Sequence, residues 1–183
     1  MKNLFKTFLL FAVVSFFSIT ESKAQMSAGG GVVYGTSINT VGFSVNGKYE
    51  FTDKWSADPA FTYFLKKDGV TWMALDLDAN YILTEIDNVG KLYGIGGLNV
   101  TFYKINYEFD LTEYTLNHTK SASVYDPGTT VYSTSASGSN IGLNLGIGLK
   151  VPVGNGMAVS PEIRYTIADG GYLRIGAKFM FGF

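Results

Sequence analysis

Strict alternation of apolar and polar residues, repeated along most of the chain, constrains this sequence more than any other feature. From Asn39 to Phe51 the odd positions read Val41, Phe43, Val45, Gly47, Tyr49 and Phe51, and the even positions Thr40, Gly42, Ser44, Asn46, Lys48 and Glu50. Period two puts each set on its own face of a β-strand. Ser139–Val151, Met157–Ile167 and Gly171–Phe183 repeat the pattern, and Ala28–Thr36, Trp55–Leu65, Trp72–Leu83 and Lys91–Tyr103 follow it with a less regular register, least defined in the Gly-rich start of the last. Eight strands of this length match tilted membrane-crossing strands, which need about 9–11 residues. Tight turns are expected at 52–54, 84–90 and 152–156. Four connections fall at the other end: 37–38, 66–71, the long 104–138 and 168–170. The expected fold is all-β, an eight-stranded antiparallel up-and-down transmembrane β-barrel.

The choice between a soluble and a membrane barrel rests on which face is apolar. One face is large, aromatic and continuous; the other is Gly, Ser, Asn, Thr and charge. An eight-stranded barrel has an interior that side chains must fill, and the Gly-rich face would leave a soluble core underpacked. Aromatics toward lipid and small polar residues inward resolve this. A secreted lipocalin-like barrel for a small ligand is the competing architecture. Parity then places Lys48, Glu50, Asp58, Asp76, Asp78, Lys150, Glu162, Arg164, Arg174 and Lys178 inside. Five cations face five anions, as buried charges require. A filling network is the expected role and an ion pathway the alternative. Asp76 and Asp78 share a face with no histidine beside them, so counter-ion pairing is expected there rather than metal binding.

The N-terminus carries its own signal. Lys2 and Lys6 precede an uncharged run from Phe8 to Ile19, followed by Ser22-Lys23-Ala24. That is the layout of a secretory signal peptide, and the apolar run is shorter than the ~20 residues a spanning helix needs. The expectation is a signal peptide over 1–24 and one barrel domain over 25–183. Removing 1–24 leaves 11 basic and 14 acidic residues, with no basic surplus for nucleic acid. There is no cysteine, so neither disulfides nor thiolate metal sites contribute.

Catalytic signals are weak. The single histidine, His118, lies in the long connection, without a serine beside it to form an acyl-transfer pair. The glycine clusters at 94–97 and 142–148 sit inside strands with no following helix, unlike phosphate loops. Pro59 and Pro161 cannot donate to a ladder, and their matched positions suggest a bulge or fray near the rim. No enzyme activity and no cofactor or metal is expected.

The C-terminal strand carries a family resemblance. Arg174-Ile175-Gly176-Ala177-Lys178-Phe179-Met180-Phe181, ending on Phe183, is similar to the assembly signal of outer-membrane proteins: a polar residue, a glycine two on, then alternating aromatics. With the signal peptide and eight strands, residues 25–183 resemble the small OmpA/OmpX-like outer-membrane β-barrel superfamily, the "porin family". The resemblance implies a cell-surface protein in contact with outer-membrane lipid, escorted by periplasmic chaperones and inserted by the barrel-assembly machinery. Arg174, Gly176, Phe179, Phe181 and Phe183 would serve as the assembly signal, and a monomer is expected. It does not imply one activity. A structural or surface-interaction role, through an unidentified surface partner, would use the 104–138 connection, where Tyr107, Phe109, Tyr114 and Tyr125 are the candidate contacts. A narrow channel or OmpW-like conduit for small hydrophobic molecules is the alternative, and a lipid-modifying enzyme is the weakest of the three.

Overall fold

Residues 25–110 and 131–183 are described by a computed structural model. Eight strands follow in order: β1 Gln25–Gly35, β2 Thr40–Glu50, β3 Trp55–Lys67, β4 Val70–Ile86, β5 Gly90–Asp110, β6 Val131–Gly154, β7 Met157–Ile167 and β8 Tyr172–Gly182. Each pairs antiparallel with its neighbours in sequence, and β1 pairs with β8, so the sheet closes into a barrel. Closure satisfies the strand edges internally, which is what a sheet in hydrocarbon requires. Gln25, Phe183 and the turns after β2, β4 and β6 share one rim, called here the near rim.

Turn chemistry fixes the register. Asp68-Gly69 and Asn155-Gly156 carry positive φ at both residues, the conformation of the two-residue hairpin turn that matches strand twist. Lys67 pairs with Val70 and Gly154 with Met157 across them. The far-rim connection expected over 66–71 therefore shrinks to two residues, because β4 begins as soon as the turn ends.

The expected faces hold. The outer surface exposes Val45, Leu77, Ile141, Leu143, Leu145 and Ile163, among many others. A belt of this extent has no place on a monomer in water. Aromatic pairs mark both rims: Trp55 with Tyr81 and Phe179 with Phe181 at the near rim, Trp72 with Tyr103 at the far one.

Neither proline makes a bulge. The β2–β3 register is unchanged on either side of Pro59, as is the β6–β7 register on either side of Pro161, while each proline pairs normally with its other neighbour, Leu77 or Ala177. The missing N–H interrupts one ladder locally and shifts nothing. The register shifts lie instead between Phe64 and Lys67, Ile82 and Thr84, and Pro152 and Gly154. The alternation of β5 continues through Ile105, Tyr107 and Phe109, and the strand runs on accordingly: β5 and β6 pass Tyr103 and Ser139 and remain paired to Asp110↔Val131.

Candidate functional site

Period two carries all ten lumen charges to the inner face, and the closed sheet brings distant strands within reach. Asp76 on β4 is the centre. Arg174 from β8 donates to both of its carboxylate oxygens, at 2.7 and 2.9 Å, and Asn99 and Asn144 donate at 2.7 and 2.8 Å. Arg164 on β7 binds Asp78 and Glu162, each at 2.6 Å, and stands 3.6 Å from Asp76. Lys178 on β8 joins Glu162 to Asp58 of β3, each at 2.8 Å. Nearer the rim, Lys150 binds Glu50 at 2.6 Å. The bonds run from β3 and β4 across the bore to β7 and β8.

Like charges face each other along two ladders, Asp58 with Asp78 and Arg164 with Arg174. Such pairs repel. Each member here is instead paired with an opposite charge from across the barrel, so two repulsive pairs become a four-strand lattice of attractive ones. Removing one partner from such a lattice strands a buried charge.

Lys48 differs from the other nine. It is 8% exposed and forms no ion pair among the described residues. Its ammonium sits 5.2 Å over the Tyr93 ring, a cation–π distance.

Aromatic residues also occupy the lumen, which the apolar-out pattern does not anticipate. Tyr93 lies directly opposite Gly148, and its ring covers the space a side chain at 148 would need. Its hydroxyl donates to Glu162 at 2.6 Å. The glycine opposite was the available sign, because a large ring inside a narrow barrel needs a neighbour without a Cβ. At the far rim Phe64, Ala74 and Tyr172 form a buried apolar cluster, packed by Val33, Ile38 and Trp72. The Phe64 and Tyr172 rings meet edge to face, with centroids 6.5 Å apart. Beside the ion pairs a space of about 30 Å3 is lined by Asn46, Thr62, Asp76, Glu162, Arg164 and Lys178, room for one or two waters.

The remaining candidates fall as follows. Arg174 belongs to the lumen network; Phe179 and Phe181 project outward from β8, and Phe183 is exposed beyond it. Gly176 packs against the β1 backbone at Val32, where a Cβ would collide with a carbonyl. Tyr107 and Phe109 stand on the β5 extension, paired with Thr134 and Tyr132. Tyr114, Tyr125, His118 and the 1–24 segment lie outside the described residues.

No protein-family model and no curated protein matches the sequence. Solved structures do. The N-terminal β-barrel domain of Pseudomonas aeruginosa OprF superposes with a TM-score of 0.55 at 15% identity, over 88% of this chain and 98% of that one. The two share a closed β-barrel fold. Neisserial surface protein A (NspA) gives 0.51 at 10% identity, over 87% of this chain and 96% of its own. Ail, the attachment invasion locus protein of Yersinia pestis, gives 0.50 at 19%, over 88% of this chain and all of Ail. At these identities the likeness to these barrels lies in their architecture.

Proposed function

We propose that the chain is an outer-membrane protein, exported by its 1–24 signal, that acts at the cell surface by binding a partner through the β5–β6 projection. The observation that carries this is the length of one ladder. β4 pairs with β5 only as far as Ile105, and β7 pairs with β6 only from Leu143. The β5–β6 ladder continues to Asp110↔Val131, standing clear of the strands beside it. Among the described residues β6 thus has no β7 partner over Val131–Gly142, and a free edge of this kind accepts an added strand. The near rim, with its short turns, faces the periplasm in this reading. That the similar barrels include a surface protein and an attachment protein agrees with it. In this reading the barrel is the anchor. Excising residues 107–135 tests the proposal: the excised protein is expected to fold and insert but to lose a surface partner recovered from intact cells by co-purification. Retained binding overturns it.

A conduit is the second reading. The ion-pair lattice and the Phe64–Tyr172 seal, stacked in one narrow bore, weigh against it. Single-channel recording in planar bilayers separates the two: the surface reading requires background conductance, the conduit reading discrete openings.

A further inference from the structure

The near mouth of the lumen is built unlike the rest of the interior. It opens as a cleft of about 450 Å3 whose lining includes Lys48, Lys150, Pro152, Met157, Ala158 and Met180. No carboxylate side chain lines it. Lys150 is engaged by Glu50 from outside the lining set. Lys48 is more than nine-tenths buried, has no anionic partner among the described residues, and reaches the cleft. Every other member of the lumen network is held by an opposite charge at 2.9 Å or less.

The apolar part is as specific as the charge. Met180 on β8 is buried and in register with the buried Ala158 of β7, and its thioether side chain adapts to irregular apolar ligands. Ala158 and Pro152 keep that wall shallow. Ser160 is the lining residue of β7 that lies furthest from the rim, and the Tyr93–Glu162 hydrogen bond of 2.6 Å stands in the same bore. A flexible apolar wall beside a partly desolvated ammonium is complementary to a molecule with one negative head and a short apolar body. A cation would meet Lys48 and Lys150, and a dianion or a large polar ligand would desolvate groups that the apolar wall cannot satisfy.

We propose that this mouth is a binding site for a small amphipathic monoanion, of the class of free medium-chain carboxylates, with Lys48 as the anion-binding group and Met180, Ala158 and Pro152 as the apolar wall. The carboxylate accepts from the Lys48 ammonium while the chain lies along Met180. The site is independent of the β5–β6 projection, at the opposite end of the barrel.

The test uses the full-length mature chain refolded in nanodiscs of zwitterionic phospholipid, with methyl-labelled methionine, titrated with octanoate. The Met180 methyl resonance is expected to shift saturably while Met73, on the outer part of β4, stays put. Lys48→Met is expected to weaken binding at least tenfold, and Lys48→Arg to keep it within about threefold. Octanol, with the same chain and no charge, is expected to bind at least tenfold more weakly than octanoate. Each variant is checked for the folded barrel by its faster gel migration when unheated. Should Lys48→Met fail to insert, the octanol comparison on the natural sequence decides by itself. Equal binding of octanol and octanoate, equal binding by Lys48→Met, or shifts spread evenly over all methionines through partition into the lipid would each overturn the proposal.

Discussion

Asn144 and Leu145 are neighbours on β6 and occupy two different solvents. Asn144 is fully buried, donates to Asp76 and Asp78, and accepts from Thr166 and Arg174. Leu145 is half exposed on the outer belt. In a water-soluble domain the two would exchange places. Hydrocarbon outside removes any reason to hide apolar groups, and unpaired polar groups become the costly ones. The specificity of this fold therefore resides inside, in directional bonds, while the outer face only has to be apolar.

The sharpest way to break that contrast is to remove the centre of the lattice. Asp76→Ala leaves Arg174 and two asparagines without their shared acceptor, and should cost about 3–5 kcal/mol, the usual result of stranding a buried charge. Urea unfolding in lipid vesicles, followed by gel migration, measures it. A cost below 1 kcal/mol would mean that water enters the bore freely and the inner bonds do not organise the barrel. Phe64→Ala comes next. Loss of the buried ring at the far seal should cost about 3 kcal/mol, yet leave planar-bilayer conductance at background, because the ion pairs beneath it still cross the bore. Open channels in this variant would make the apolar cap, rather than the lattice, the barrier. Leu145→Arg places a cation on the lipid face of a mid-membrane strand and should cost about 2–4 kcal/mol, read as reduced folded protein in the membrane. If Leu145→Arg assembles normally, the outer belt has been misassigned on β6. The smallest effect belongs to the rim. Lys91 and Glu85 form a 2.6 Å pair with both side chains largely in solvent, and Glu85→Gln should change stability by less than about 1 kcal/mol.

The same contrast explains what could be read from the sequence. Period two is enough to assign faces, so strand count, closure into a barrel and the inward position of the ten lumen charges were legible. Which cation meets which anion was not. Arg164 lies opposite Arg174 in the ladder, and its partners Asp78 and Asp76 come from across the bore, a relation set by strand tilt and stagger rather than by spacing in the chain. Tyr93, Phe64 and Tyr172 escaped for a related reason. Alternation says that a residue points inward but not that a ring fits there, and only the glycine paired across from Tyr93 hinted at the space. The prolines misled because a missing N–H suggests distortion, whereas a ladder with two sides can lose one bond and keep its register. The lone lysine at the near mouth could not be foreseen from a balanced count of five and five, since balance in number says nothing about distance.

Closure of the sheet through β1 and β8 has a kinetic consequence. Ser27 pairs with Gly182 and Gly29 with Met180, so the first strand made waits for the last before its outer edge is covered. Every other ladder is a local hairpin that can form soon after its strands emerge, but this seam joins residues at opposite ends of the barrel sequence, and contacts of such long range form slowly. Until β8 arrives, a glycine-rich strand with an unsatisfied edge is the most aggregation-prone element of the unfinished protein. The time between synthesis of β1 and docking of β8 therefore sets how long the protein must be kept from its own copies.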